Sequence, residues 1–287
     1  MPEWTDDSYV GKYLGRHEYR VDEAAIARHI AATRDDNPLY HGDPAIAPAL
    51  LLHSEQYAFA LPTWYLPKLY GNLHTRQDWD LFRPVPLGST LWTHGMIIDR
   101  YIRRDRDVVV LEFSIFDEAD VMVARGRCHQ SFLLDVREGE TVVAKDTAKQ
   151  KATRPIDDRP VLEVLAPVTK TADLALCMAF SGPNRNYHTD RDEAKKLGFP
   201  DVVVQGTMST TFIAEMLTNR YGPGFIAGGR MSLNLTNVLW GGEQVTAKGL
   251  VRERRPEGSR TRAILDVWTE KPDGTKTIAG SASALED

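Results

Sequence analysis

The sequence contains few cysteines and no strong excess of charge of either sign. Only Cys128 and Cys177 occur in 287 residues, and their spacing suits neither a disulfide framework nor a zinc site. This scarcity favours a reducing compartment. Lysine and arginine number 35 against 40 aspartates and glutamates, which gives a net charge of −5. No charge excess therefore predicts binding to nucleic acid or to an anionic membrane.

Long apolar runs and metal-binding patterns are also missing from the sequence. No stretch approaches the ~20 apolar residues that a transmembrane helix needs. The first 15 residues lack the basic and apolar segments of a secretory signal peptide, so we expect a cytoplasmic protein. His53, His74, His94 and His129 show no metal-ligand spacing. No metal is expected.

The apolar pattern of the first half changes from helical to β spacing. Residues 21–31 predict a helix with Asp22 as its N-cap, and residues 49–61 predict a long buried helix. Residues 1–20 form a short polar segment, and the aromatic-rich stretch 62–82 is predicted to be irregular. Strands of an antiparallel meander are expected at 90–101, 108–116 and 121–134.

A charged segment poor in apolar residues, 138–160, is predicted to be a linker between domains 1–137 and 161–287. The second domain repeats the pattern of the first. Helices are predicted at 171–179, 191–197 and 209–219, and strands at 230–235, 244–254, 261–271 and 276–284.

Short blocks of the two halves align, which predicts an internal duplication. Residues 88–95 align with 242–249 (242 − 88 = 154), and residues 123–126 align with 278–281 (278 − 123 = 155). Tyr40 aligns with His188 (188 − 40 = 148). The repeated unit is one long helix wrapped by an antiparallel sheet.

The stretch 180–216 combines a polar loop with the beginning of an apolar helix. The loop contains His188, whose side chain titrates near neutrality. Gln205-Gly206 opens the helix, and the unpaired amides of a helix start can hold a developing oxyanion. These features predict a site for acid–base chemistry.

With these motifs the chain resembles the MaoC-like (R-specific) enoyl-thioester hydratases and 3-hydroxyacyl-thioester dehydratases in their double hot dog form. The resemblance covers nearly the whole chain and rests on His188-Thr189-Asp190, Gly198-Phe199-Pro200, Gln205-Gly206-Thr207-Met208, Val238 to Glu243, Asp35 to Tyr40 and Arg83 to Gly88. It implies an α+β fold of two tandem hot dog units. The first, degenerate unit would shape the acyl tunnel, and the second would carry the active site.

The resemblance also implies roles for particular residues. His188 would take a proton from water, and the amide of Gly206 would polarise the thioester carbonyl. The family motif has an aspartate five residues before its histidine, where this chain has Pro183. A one-residue gap aligns Asn184 with that aspartate, so Asn184 is predicted to orient the water or the imidazole. Contacts with the substrate are expected from Arg185, Tyr187, Gln205, Asp35 and Tyr40, with Arg185 available for a substrate carboxylate.

The implied substrate is an acyl thioester of coenzyme A, or of a carrier protein, with no other cofactor. Two alternatives stay open: an acyl-thioester hydrolase with Glu215 as its carboxylate, and a non-catalytic thioester-binding half of a hetero-oligomer. Structural roles are the alternative for the loop residues, such as helix capping by Asp190 with Glu193. A homodimer is expected, because hot dog sheets commonly pair through their edges.

Overall fold

The computed structural model describes residues 8–61, 72–134 and 159–286. The predicted linker falls outside these ranges except for its last two residues, and the aromatic stretch falls outside them from residue 62 to residue 71. The domain boundaries at 137 and 161 therefore stay a prediction.

The described strands form one sheet to which both halves contribute. The first half supplies β1 (Tyr13–Arg20), β2 (Leu73–Leu81), β3 (Thr90–Arg103), β4 (Arg106–Phe116) and β5 (Met122–Leu133). The second half supplies β6 (Glu163–Val164), β7 (Val168–Thr171), β8 (Arg230–Leu235), β9 (Gln244–Glu257), β10 (Arg260–Glu270) and β11 (Lys276–Glu286). The order is β1-β3-β4-β5-β2-β8-β11-β10-β9-β6, with β7 also paired to β9. Antiparallel pairing of β2 with β8 joins the halves.

The helices lie against this sheet. They are α1 (Glu23–Thr33), α2 (Glu55–Ala60), α3 (Leu174–Ser181), α4 (Arg191–Lys196), α5 (Gly206–Tyr221) and α6 (Pro223–Ile226), with short 3-10 helices at Pro38–Tyr40 and Leu51–Ser54. Asp22 caps α1 and Asp190 caps α4, as the sequence predicts. No helix within the described ranges is long and apolar enough to cross a bilayer.

The α5 helix is the core of the second unit, with Met208, Phe212 and Leu217 inaccessible to solvent. Gly249 on β9 allows the helix to approach, because a Cβ there would lie 3.0 Å from Met216 Cε. In the first unit Gly95 on β3 likewise leaves room for Phe59 of α2, because a Cβ there would lie 2.5 Å from Phe59 Cγ. The predicted α+β double hot dog is confirmed: each half packs a helix against its own antiparallel strands.

The strand irregularities show how closely the two units correspond. In the first unit a bulge falls between the pairs Ile97–Leu111 and Asp99–Val110, and in the second between Val251–Leu265 and Glu253–Ile264. Each residue differs from its counterpart by 154 (265 − 111 = 154). A β-bulge is a defined local geometry rather than a random defect. Its repetition at equivalent positions supports the duplication.

The register corrects one of the aligned blocks. The irregularity after the pair Ile115–Ala124 recurs after the pair Thr269–Ile278, again at an offset of 154 (278 − 124 = 154). Gly126 therefore corresponds to Gly280, and the offset of 155 for this block is wrong by one residue.

Several strands and helix starts differ from the sequence prediction. The short strands β6 and β7 are not among the predicted strands, and α3 and α5 begin at Leu174 and Gly206 instead of at residues 171 and 209. The β1 strand was not expected, because it is a largely exposed strand at one end of the sheet and its apolar alternation is weak. The β2 strand falls in the stretch expected to be irregular. The predicted helix over 49–61 begins instead as a 3-10 helix at Leu51, with a non-helical backbone at Leu52, and becomes α-helical at Glu55.

Candidate active site

A cavity of about 210 Å³ lies at the beginning of α5. Its walls come from both units. The second unit contributes mainly apolar side chains, including Leu197, Phe199, Val204, Leu235, Val238 and Leu239. The first unit contributes Tyr57, Asn72, Leu73, His74, Thr75 and Gln130. The cavity is an apolar chamber with a few polar groups, which is typical of small-molecule sites.

A hydrogen-bonded loop places His188 on the cavity wall. The side-chain oxygen of Asn186 accepts a hydrogen bond from the His188 backbone amide at 2.8 Å. The imidazole Nδ1 lies 2.6 Å from the carbonyl oxygen of Val203. Because a carbonyl oxygen only accepts, Nδ1 carries the hydrogen and Nε2 keeps a lone pair.

The surroundings keep this imidazole neutral. Desolvation lowers the pKa of His188 to about 4, and the hydrogen bond to Val203 opposes this shift. At neutral pH the side chain therefore has an unprotonated nitrogen that can accept a proton.

Gly206 begins α5 at the same cavity. Met208 donates its amide to Gln205 O at 2.9 Å, but within the described chain the amides of Gly206 and Thr207 have no acceptor. A Cβ at position 206 would overlap Leu235 Cδ2, so any larger residue would force the Leu235 side chain to shift. Unpaired amides at a helix start can stabilise a developing oxyanion.

Tyr187 and Gln205, both predicted to contact substrate, line the cavity. The Tyr187 and His188 ring centroids are 4.0 Å apart. The Gln205 amide is fixed from two sides: its Nε2 donates to Tyr57 Oη at 2.6 Å, and its Oε1 accepts from Ser181 Oγ at 2.8 Å. Through Tyr57, the first unit thus helps to position the N-terminus of α5.

Asn184 and Arg185 lie on the outside of the loop, and their predicted roles need correction. Asn184 is exposed and is not part of the cavity wall, so the carbonyl of Val203 orients the imidazole instead. Arg185 is 60% exposed and pairs with Asp190 at 2.8 Å. That pairing directs the guanidinium towards the capping residue of α4 and away from the cavity.

Asp35 and Tyr40 also lie away from His188. Tyr40 Oη donates to Asp35 Oδ2 at 2.8 Å, and both residues are buried. Burial raises the pKa of Asp35, and Lys170 opposes the rise. Neither residue lines the cavity, so Asp35 does not supply the missing motif carboxylate.

The first unit contains the equivalent of the cavity in a filled form. A space of only about 20 Å³ is bounded by Pro48, Ala49 and Leu52. These residues precede or begin the helical segment of the first unit, as Gln205, Gly206 and Ser209 precede or begin α5. In this comparable place the first unit has Pro48 and Leu52 where the second has the polar Gln205 and Ser209.

His74 and Gln130 are site residues that the sequence did not reveal. A register shift in β2 between His74 and Arg76 leaves Thr75 unpaired, and His74 pairs with Gln130 of β5. Both side chains then face the cavity. Five polar residues in a row, from His74 to Asp78, give the sequence no strand alternation there, and no local pattern indicates the bulge that directs His74 inward.

No group of three or more histidine, cysteine, aspartate or glutamate side chains in the described ranges is arranged to hold a metal ion.

Comparisons with known proteins support the fold. No family model and no curated protein matches the sequence. A solved MaoC-like dehydratase has a TM-score of 0.77 at 18% identity, covering 98% of this chain and 99% of its own. The MaoC-like dehydratase of Phytophthora capsici has a TM-score of 0.72 at 15% identity, covering 98% of both chains.

A third structure carries the fold name. Rv0216 of Mycobacterium tuberculosis, described as having a double hot dog fold, has a TM-score of 0.59 at 14% identity, covering 98% of this chain and 97% of its own. The resemblance to MaoC-like dehydratases is therefore confirmed at the level of the fold. The chain has a double hot dog fold.

Proposed function

We propose that the protein is a hydratase or dehydratase that adds water to a 2-enoyl thioester or removes it from a 3-hydroxyacyl thioester. One observation carries the proposal: His188 and Gly206 meet at the same largely apolar cavity. The first offers an unprotonated nitrogen, and the second an amide without an acceptor in the described chain. The reaction needs these two functions, a base and an oxyanion donor.

The steps follow from this arrangement. The thioester oxygen accepts a hydrogen bond from the Gly206 amide, which draws electrons from the C=C bond. Water gives a proton to His188 Nε2 as its oxygen bonds to the β-carbon, and negative charge collects on the thioester oxygen. The protonated His188 then returns the proton to the α-carbon, so no other proton source is required. Dehydration is the reverse sequence.

Coenzyme A is the proposed carrier of the acyl group. A net charge of −5 gives no basic surface for docking an acidic carrier protein. A homodimer and a cytoplasmic location stay predictions.

The hydrolase alternative gains no support from the position of Glu215. Its Oε1 lies 2.8 Å from Lys170 Nζ, and both side chains are 11% exposed. Glu215 is not among the cavity-lining residues. A carboxylate held there cannot reach a thioester bound at Gly206.

The proposal is tested by mixing the protein with crotonyl-CoA and following the loss of enone absorbance. We expect turnover by the wild-type protein and a ~10²–10⁴-fold lower kcat for His188→Ala, because the base is removed. His94→Ala is the matched control, since His94 bonds Tyr13 on the exposed side of the β1–β3 pair and should leave kcat unchanged.

Two outcomes would contradict the proposal. An unaltered rate in His188→Ala would remove the histidine from the mechanism. Release of free coenzyme A thiol without loss of a hydratable double bond would instead assign a hydrolase.

A further inference from the structure

The motif aspartate is absent, and the second unit places no carboxylate on the described cavity wall. A water whose two O–H bonds are held by two acceptors has its oxygen lone pair oriented for attack on the β-carbon. His188 Nε2 supplies one acceptor. The first unit brings a second imidazole, His74, to the same cavity.

The position of His74 is set by the strand irregularity in β2. With Thr75 unpaired, His74 lies opposite Gln130, which is 3% exposed and faces the interior. Bulges commonly redirect a side chain beside an active site. His74 Nδ1 lies 3.8 Å from the place that a Cβ on Gly206 would occupy. The imidazole is thus next to the amide proposed to hold the thioester oxygen.

The hydrogen bonding of His74 determines what its cavity-facing nitrogen can do. Nε2 lies 3.1 Å from the carbonyl oxygen of Arg76. That oxygen only accepts, so Nε2 carries the hydrogen and Nδ1 keeps a lone pair. A lone pair cannot stabilise an oxyanion, but it can accept a hydrogen bond from water.

The groups around the ring agree with a neutral imidazole. Desolvation first and nearby His129 to a smaller extent lower the pKa of His74, which is about 4. The hydrogen bonds to Arg76 and to Gln77 oppose these effects.

We propose that His74 is a second catalytic histidine, which accepts a hydrogen bond from the attacking water in the place of the missing carboxylate. The water bridges His188 Nε2 and His74 Nδ1. One proton moves to His188 as the C–O bond forms, and the other stays on the new hydroxyl group, held by His74. The proton on His188 goes to the α-carbon, so all atoms and charges balance. This inference rests on the proposed function.

Three substitutions at position 74 separate the two ring nitrogens. In asparagine and aspartate the side-chain oxygen lies two bonds from Cβ, as Nδ1 does. In glutamine the terminal amide lies three bonds away, as Nε2 does. His74→Gln therefore keeps a donor towards Arg76 and loses the acceptor in the cavity. His74→Asn keeps that acceptor, and His74→Asp restores a carboxylate.

We expect His74→Gln to lower kcat by ~10²-fold with little change in KM, because the water is no longer oriented while the acyl-binding wall is intact. His74→Asn and especially His74→Asp should recover most of the loss. A purely structural role would not rank the variants by the position of one acceptor atom. Equal activity of His74→Gln and wild type, in a preparation where His188→Ala is inactive, would overturn the inference and leave the proposed function intact.

A measurement without turnover keeps the inference testable even if crotonyl-CoA is not hydrated. ¹⁵N spectra of the histidine side chains, assigned by comparison with His74→Asn, report the tautomer directly. We expect His74 to be protonated on Nε2 and its Nδ1 resonance to shift when the saturated analogue butanoyl-CoA is added. A protonated Nδ1, or a resonance that does not move, would overturn the proposal.

Discussion

At the scale of single residues, Gly206 combines a packing role with a proposed chemical one, because its lack of a side chain leaves room for Leu235 and its amide lies at the cavity wall. Any Cβ there would overlap Leu235 Cδ2 and point towards His74 Nδ1. The Leu235 side chain, which lines the cavity, would have to shift. We expect Gly206→Ala to lower kcat of the proposed hydration by ~10²-fold, as small misplacements of a reacting group do.

The matched variant for this prediction is Gly206→Ala combined with Leu235→Ala, which removes the overlapping methyl group. The double variant should regain part of the kcat lost in the single one, measured with crotonyl-CoA. If Gly206→Ala keeps full activity, or if the double variant is as slow as the single one, the glycine is not needed for approach to Leu235.

The sequence draws attention to His188 and Gly206, which both line the cavity, but not to His74, and the reason is physical. His188 and Gly206 stand in local patterns, a turn and a helix start, which depend on neighbouring residues. His74 reaches the cavity only through a bulge and a pairing with Gln130, 56 residues further along the chain (130 − 74 = 56). No local pattern encodes that pairing. Asn184 and Arg185 are a different case. The sequence shows that they adjoin His188 but not that the loop directs their side chains outward.

At the scale of elements, the contact between central helix and sheet differs between the units. Gly95 and Gly249 are equivalent (249 − 95 = 154). A Cβ at Gly95 would lie 2.5 Å from Phe59 Cγ, in an aromatic ring that cannot bend. A Cβ at Gly249 would lie 3.0 Å from Met216 Cε, the mobile end of a flexible side chain.

We therefore expect Gly95→Ala to reduce the free energy of unfolding by ~1–3 kcal/mol, the usual cost of overpacking a core. Gly249→Ala should cost clearly less. Urea unfolding of the two variants and the wild type measures the difference. Equal losses, or a larger loss for Gly249→Ala, would show that the two contacts are equally adaptable.

The elements that the sequence predicted well are those with one dominant environment. The α5 helix is buried along nearly its whole length, and the inner strands are apolar on the core side. The prediction failed for β1, which lies at one end of the sheet, and for the start of the first central helix, where Pro48 precedes a 3-10 turn. In both cases tertiary contacts determine the structure more than local propensity.

At the scale of the whole molecule, the duplication explains how one site came to be built from two units. The strands keep a common offset of 154 through two bulges, so the two units share the same strand framework. The polar residues that line the cavity of the second unit are not shared by the first. The first unit keeps only a space of about 20 Å³ of its own, and it contributes His74 of β2 and Gln130 of β5 to the wall of the second unit's cavity.

Four histidines of the described ranges, one buried and three half-buried, have a pKa well below the usual value. Desolvation lowers the pKa of His29 to about 3 and those of His53, His74 and His188 to about 4. In the unfolded chain their pKa is ~6.5. Above pH 6.5 these histidines are unprotonated in both the folded and the unfolded protein, so their contribution to the free energy of unfolding is fully present. Between pH 6.5 and 4 the unfolded chain binds protons that the folded protein refuses, so stability falls as pH decreases.

Glu215 acts in the opposite direction but is outnumbered by these histidines. Burial raises its pKa to about 7, so its contribution is present below its unfolded pKa and is lost as pH rises through 7. We expect the histidines to prevail and the free energy of unfolding to decrease from pH 6.5 to 4.5, by ~1.4 kcal/mol per pH unit for each net proton taken up. Urea unfolding at several pH values measures the slope. His53→Gln should flatten it by about one proton, whereas a stability that is constant or rises on acidification would mean that the folded protein accepts these protons.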